Sequence, residues 1–377
     1  MMSLQATSLL FLGLCRVATG RDAALSAAPG AGEWRELYAE ARRQTLAGVL
    51  FPAVERLPES QRPPRSVLLP WYAETVRLEA LNRQADLAAV AVTRRLAELG
   101  LRGVLLKGQG AARLYPRPAL RAPGDVDIWV EGPRMETLGR LARAGKVGHV
   151  TYHHADWRPS GGAEAEAHSR PTWMYSPRLN ARLRRWLAAE APRQFGGESL
   201  SLTGAGGTVG EVTVPTAAFN LVFLLVHLFR HTLTEGVGLR QLMDYYYALT
   251  LPLSAAGRAG ALTVIEQLGL AGFAGAVMHV EGRVFGLSRE AMLTAPRPRE
   301  GELLLADVMR GGNFGRYHGG THGPAGRLVR VWRLARLCPE EALFALPFKV
   351  WHAGWRLAAA WRLARGPKPP APPAAAT

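Results

Sequence analysis

The sequence predicts an α+β fold in which a small mixed β-sheet is flanked by helical N- and C-terminal regions. Three observations carry this expectation. Apolar residues recur at helical spacing from residue 33 to about 100; short apolar runs bounded by Gly and Pro take over from 101; helical spacing returns after Pro171. Helices, then strands mixed with helices, then helices again is the element order of an α+β chain. The expected units are an N-terminal helical region (1–100), an α/β core (101–172), a mainly helical C-terminal domain with a β-hairpin (173–365) and a disordered Pro/Ala tail (366–377). No internal repeat is found.

The chain of 377 residues has 46 Lys+Arg against 30 Asp+Glu, a net charge of +16. With 48% hydrophobic and only 20% charged residues, it has the composition of a chain with a core and not of a disordered one. Arginine dominates the positive charge, and arginine grips phosphate well. An Arg- and Ala-rich, Lys-poor composition also follows from GC-rich coding, so charge alone does not predict nucleic-acid binding. Cys15 and Cys338 stand at opposite ends with no CxxC spacing. That argues against a disulfide scaffold and against a cysteine zinc site.

In chain order, the apolar run SLLFLGL (8–14) has no basic segment before it and is followed by Arg16. It reads as the buried stripe of a first amphipathic helix and not as an export signal. Trp34, Leu37, Tyr38, Ala41 and Leu46 mark the next helical face. Pro58, Pro63, Pro64 and Pro70 are expected to break it before a long helix that ends at Gly100, a left-handed cap. LRGVLLKG reads as a strand running into a turn, and QGAARLYP as a helix. RAPGDVDIWVEG reads as a second strand, with Asp125, Asp127 and Trp129 on one face and Val126, Ile128 and Val130 on the other. METLGRLARAG is a helix stopped by Gly145. KVGHVTYHHADW and GAEAEAHSRP read as one strand each, paired through the turn at 158–162. ESLSLTGAGGTVGEVTVP is a Gly-turned hairpin, followed by the helices TAAFNLVFLLVHLFRHTL and GLRQLMDYYYALTL. Residues 298–325 are Gly-rich and expected to be irregular. No stretch reaches the roughly 18 uninterrupted apolar residues of a membrane span, so no transmembrane segment is expected and the protein is expected to be cytoplasmic.

The chemistry centres on Gly124-Asp125-Val126-Asp127. Residues two apart on a strand face the same way, so both carboxylates enter one site. Close carboxylates repel unless a cation neutralises them, and Mg²⁺ does so while also binding phosphate oxygens. Most Asp-x-Asp pairs are solvated turn residues, but this one lies in an apolar strand. Glu166 is the candidate third carboxylate, with Glu164 in reserve. Lys107-Gly108-Gln109-Gly110 joins a strand to a helix, a junction that offers free N–H groups to an anion. Simple turn chemistry is the alternative reading. Arg121 is a candidate phosphate or leaving-group contact, or an ordinary surface arginine.

Further along, His227 and His231 share a helix face, but HLFRH lacks the glutamate of HExxH. A zinc site from His149, His153, His154 and His168 is conceivable, although core histidines are more often only hydrogen-bonded. Glu235, Arg240 and Asp244 fit either closure over a bound nucleotide or acceptor, or a structural ion pair and cap. Trp332, Trp351 and Trp355, interleaved with Arg330, Arg333, Arg336, Lys349 and Arg356, suit nucleic acid or an anionic membrane surface. An ordinary amphipathic helix is the favoured alternative.

The segment LLKGQGAARLYPRPALRAPGDVDIWV resembles the uncharacterised bacterial nucleotidyltransferases, a branch of the superfamily typified by DNA polymerase beta. The shared pattern is a Lys-Gly turn, a helix ending in Tyr-Pro, then Arg and Asp-x-Asp. EAHSRP and HLFRHTLTEGVGLRQLMDYY also resemble the branch, over roughly residues 30 to 250. In the wider superfamily the turn lies closer to the Asp pair than the 17 positions between Gly108 and Asp125 here.

The resemblance implies a nucleotidyltransferase that moves NMP from an NTP, ATP among them, to an acceptor and releases pyrophosphate. Asp125 and Asp127 would hold two Mg²⁺ ions (or Mn²⁺) and Glu166 would complete the site. Lys107, Gly108, Gln109 and Arg121 would meet the nucleotide. His168, Arg240 and Asp244 would serve the acceptor or a lid. The acceptor itself (a sugar, protein, small molecule or RNA) is not implied. A catalytically inactive relative that binds nucleic acid or a biosynthetic partner is the alternative.

Overall fold

The structure is a computed structural model and describes residues 6–160, 162–204, 207–313, 317, 335 and 337–364. The chain enters as α1 (Ala6–Ala18), α2 (Ala31–Arg43) and α3 (Ala47–Arg56), followed by the 34-residue α4 (Arg65–Glu98). The run at 8–14 supplies Leu10, Phe11, Leu12 and Leu14 to the core, as an amphipathic helix should. Pro70 does not break α4 but sits in its second turn. Near a helix start, few backbone bonds depend on the missing N–H, so the break falls at Pro63 and Pro64 instead. Gly100 closes α4 with φ +67°, the left-handed region that glycine adopts without strain.

Next come β1 (Gly103–Leu105), α5 (Gln109–Ala112), β2 (Val126–Val130), α6 (Arg134–Ala144), β3 (Gly145–Val150), β4 (His154–Pro159) and β5 (Ala165–His168). The segment KVGHVTYHHADW, expected as one strand, is therefore two, β3 and β4, paired antiparallel. Their turn contains no Gly, Asn or Pro; it is closed by Thr151, whose hydroxyl accepts from the His154 N–H, and held from outside by Arg134 of α6 donating to the carbonyls of Thr151 and Tyr152. The sheet order is β1-β2-β5-β4-β3, with β2 and β5 parallel and every other pair antiparallel. The register sets Asp127 beside Glu166 and Glu166 beside Asp156, and the next same-face row pairs Trp129 with His168 and His168 with His154.

The opposite face of the sheet carries Val126, Ile128, Val130, Ala165, Ala167 and Trp157, which pack with Val90 and Leu96 of α4. The same small core takes Leu202 and Val212 from the hairpin of β6 (Glu198–Gly204) and β7 (Gly207–Val214). That hairpin follows α7 (Pro177–Phe195) and precedes α8 (Ala217–Thr234), α9 (Leu239–Thr250), α10 (Ala255–Gln267), α11 (Ala271–Phe285), α12 (Pro298–Gly311) and α13 (Pro339–Ala364). The helix α12 overturns the expectation of irregular structure from 298. Gly301, Gly311 and Gly312 stand at its ends, while Leu304, Leu305 and Val308 form the buried stripe that sustains it.

A second, larger core joins Phe11 and Leu14 of α1, Trp34 of α2 and Trp71 of α4 to Phe229 of α8 and Phe273 and Phe285 of α11. The N-terminal and C-terminal helices thus share one apolar interior. Ala217–Thr234 is the one described helix long and apolar enough to cross a membrane, and 72% of it is buried inside the protein. Trp129, Phe195 and Phe219 bind α7 and α8 to the sheet face that carries the aspartates, with ring centroids 4.7 and 5.9 Å from Trp129. Residues 366–377, and Arg330, Trp332, Arg333 and Arg336, lie outside the described residues, as do the side chains of Lys349 and Arg356. Trp351 and Trp355 lie against Tyr152, with ring centroids 5.3 and 6.2 Å from its own, while Trp351 remains exposed.

Candidate active site

The bend after β1 and the acidic strand meet. Gly108 has φ +57°, and a Cβ there would stand 2.8 Å from the carbonyl oxygen of Asp125, so only glycine fits this approach. Lys107 Nζ lies 2.8 Å from Asp127 Oδ1. His168 Nε2 reaches the same oxygen at 2.9 Å and Glu166 Oε2 at 3.3 Å. Asp127, Glu166 and His168 bring their ligating atoms within 4.8 Å of one another. Asp125, just ahead of β2, is exposed.

Electrostatics separates the three acids. Partial desolvation raises the Asp125 carboxyl above its ordinary range, and repulsion from Asp127 and Glu166 raises it further. Burial opposes ionisation of Asp127 as well, but Lys107 and His168 overcome it and hold that carboxyl well below the usual range. Glu166 is likewise held down, against its burial, by the hydrogen bond from His168. His168 itself is raised: burial would lower it, but Asp127 and Glu166 stabilise the imidazolium.

The histidines of β4 behave differently. Burial lowers His153 well below its ordinary value and His154 to about 4, so both are neutral imidazoles. His154 Nδ1 lies 3.2 Å from His153 Nε2, and Trp173 Nε1 donates to His153 Nδ1 at 3.0 Å. Ligating atoms of His153, His154 and His168 also fall within 4.8 Å of one another. His149, counted with them in the sequence, is not in this group. Glu164, the reserve carboxylate, lies outside β5 and pairs with Arg158.

A stripe of α8 roofs the acids. Phe219, Phe223, His227 and His231 succeed one another at i, i+4, with neighbouring ring centroids 5.9, 6.0 and 4.3 Å apart. The stripe begins on Trp129 and ends where Lys107 and His168 act on buried, neutral His227. His231 Nδ1 lies 2.8 Å from Glu235 Oε2.

Not every expected residue reaches the acids. Arg121 is buried and gives Nε and Nη2 to both carboxylate oxygens of Asp244, each at 2.7 Å, while Tyr115 Oη donates to Asp244 Oδ1 at 2.6 Å. The structural ion pair is thus the geometry of Asp244, and its partner Arg121 is taken up in it, not held at a leaving group. Gln109 also turns away, donating to Asp86 Oδ1 at 2.5 Å on α4. Arg240 does stay beside the acids: its Nη1 stands 3.8 Å from where a Gly124 Cβ would be and donates to Ala122 O at 3.2 Å. Its Nε is buried without a partner. Sequence reasoning passed over Arg230 and Trp173, which stack with the guanidinium 4.1 Å from the ring centroid. The i, i+4 ladder of α8 was the signal that could have drawn attention to that helix.

The group that could hold a cation is Asp127 and Glu166, through oxygen, with His168, through nitrogen; Asp125 is outside it but is repelled by both acids, and a cation would relieve that repulsion. The family described as uncharacterised nucleotidyltransferase matches residues 30–286. An antigenic nucleotidyltransferase-like protein of known structure from Paracoccidioides brasiliensis is 12% identical, with a TM-score of 0.28 over 50% of this chain and 88% of that one. No curated protein matches. The match over 30–286 spans well over half of the sequence, and the chain belongs to the uncharacterised nucleotidyltransferase family.

Proposed function

We propose that this member of the family transfers NMP from an NTP to an acceptor, with release of pyrophosphate and dependence on Mg²⁺ or Mn²⁺. The observation that carries the reading is the pairing of Asp127 with Glu166 on one sheet face, with Asp125 electrostatically coupled to both, beside the Gly108 bend. Asp125, Asp127 and Glu166 would hold the metal, which when bound neutralises phosphate charge and favours the ionised acceptor oxygen. The backbone at Gly108 and the Lys107 ammonium would receive the triphosphate, with Arg240 at its edge. Glu166 would complete that metal site or, instead, take the acceptor proton. The acceptor oxygen forms the new bond to the α-phosphorus as the bond to the β-phosphate oxygen breaks. Positioning and charge would do most of the catalysis.

One observation favours a second reading, that of a non-catalytic nucleotide binder: Lys107 and His168 both engage Asp127 Oδ1. The test is incubation of the protein with each labelled NTP, Mg²⁺ and cell extract, with pyrophosphate assayed. Transfer of label that depends on Asp125 and Asp127 is expected. Nucleotide binding with neither label transfer nor pyrophosphate would overturn transfer in favour of the binder.

A further inference from the structure

Arg230 lies on α8 between His227 and His231. Its guanidinium stacks on Trp173, which engages the face of the group and leaves its in-plane N–H bonds seeking acceptors. The Nε atom is buried and has none. Tyr175, Glu235, Glu166 and Glu341 act on Arg230 through space, and no side-chain hydrogen bond or ion pair between described residues includes its guanidinium. Arg121, by contrast, is satisfied by Asp244, and Arg134 by the carbonyls of Thr151 and Tyr152, while Arg240 shares the unpartnered Nε of Arg230 but donates Nη1 to Ala122 O. A buried guanidinium N–H without an acceptor is costly, and an anion reaching the partly exposed head of Arg230 is what relieves it.

Its position is equally telling. Trp173 is hydrogen-bonded to His153, His153 to His154, and His154 Nδ1 lies 3.5 Å from Glu166 Oε2. Arg230 therefore stands on the β4–β5 side of the acids. Lys107, Gly108 and Arg240 stand on the β1–β2 side.

We propose that Arg230, backed by Trp173, holds an anionic group of the acceptor, a phosphate or a carboxylate, on the side of the acids opposite the glycine bend. The name acceptor rests on the nucleotidyl-transfer reading above. The anionic group is untouched by the reaction. Held there, it brings the acceptor hydroxyl toward Glu166, which receives its proton while pyrophosphate leaves on the other side. Arginine suits this work because its planar fork binds such anions in two places at once.

The experiment uses the full chain. Inorganic phosphate is titrated by ³¹P line width, with and without saturating α,β-methylene-ATP and Mg²⁺, and binding of the analogue is measured by calorimetry. Glycerol 1-phosphate and succinate in the same assay separate phosphate from carboxylate as the preferred anion. Phosphate is expected to bind beside the analogue. Arg230→Gln should weaken it about tenfold or more and Arg230→Lys less, while analogue affinity changes less than about twofold. Lys107→Gln should do the reverse. Near-UV circular dichroism and melting temperature establish that each variant is folded, and Arg230→Lys serves if the glutamine variant is not.

Phosphate binding that survives Arg230→Gln, or is absent from the unsubstituted protein, would overturn the proposal. So would loss of the analogue in Arg230→Gln as large as that in Lys107→Gln, since Arg230 would then serve the triphosphate. Arg230-dependent phosphate binding with no analogue binding at all would sink nucleotidyl transfer and leave the anion site standing.

Discussion

Two groups of buried charge lie within one fold and are built on opposite terms. Around Asp244, Arg121 gives two hydrogen bonds and Tyr115 a third, so cation and anion match in number and geometry. Around Asp127 and Glu166, acids outnumber what Lys107 and His168 neutralise; Asp125 is pushed up by its neighbours, and Arg230 and Arg240 leave Nε unpartnered. Matched charge holds the fold together. Mismatched charge converging on one cleft is what a ligand completes. A third place shows that mismatch alone is not enough. Glu281 of α11 is fully buried with both oxygens unpartnered, yet the groups it acts on through space are the phenols of Tyr245 and Tyr246, and none of the acids described above.

The contrast breaks first, and most visibly, at the acids. Asp127→Asn and Asp125→Asn should each lower metal-dependent pyrophosphate release by about 10²–10³-fold or more, with the fold retained by circular dichroism. Undiminished release would remove these side chains from the chemistry. At the matched group the effect should fall on stability instead. Asp244→Asn strands a buried guanidinium and should cost about 3–5 kcal/mol in denaturant unfolding, and the double change Arg121→Leu with Asp244→Leu should recover much of it. A double variant no more stable than the single one would show that the pair does more than satisfy itself.

Glu281 sharpens the third case through pH. Burial raises its carboxyl well above the ordinary 4.5, so the folded state keeps a proton that the unfolded state loses. Its contribution is therefore complete below about that value and declines as pH rises through neutrality toward the folded value. Glu281→Gln should flatten that decline, stabilising the protein at alkaline pH by about 1–3 kcal/mol in melts across pH. A pH profile identical to that of the unsubstituted protein would contradict the assignment. The smallest effect is expected at the bend, where Gly108→Ala meets the Asp125 carbonyl and an unfavourable φ. A loss of about 1–2 kcal/mol, with weaker nucleotide binding, is the outcome to look for in thermal melts and titrations.

What the sequence made legible was local. Gly108, Asp125 and Asp127 could be found because a strand, a bend and an alternation are written in neighbouring residues, and Glu166 because it shares that alternation. The pairing of Arg121 with Asp244 spans 123 positions, and the stack of Arg230 on Trp173 is also remote in sequence; no local period encodes either. The β3–β4 turn was missed because it carries no Gly, Asn or Pro; the Thr151 hydroxyl bonds His154 within it, and Arg134 holds it from α6. Helix α12 was missed because glycines at its ends outweighed Leu304, Leu305 and Val308 between them.

The parallel pairing of β2 with β5 makes chemistry here a matter of odd and even counting. Sliding β5 by one position would swing Glu166 and His168 into the oily underside and lift Ala165 and Ala167 into the cleft. A single inserted amino acid inside that four-residue strand would therefore blank the centre without removing any of its members, whereas two inserted together would restore the parity.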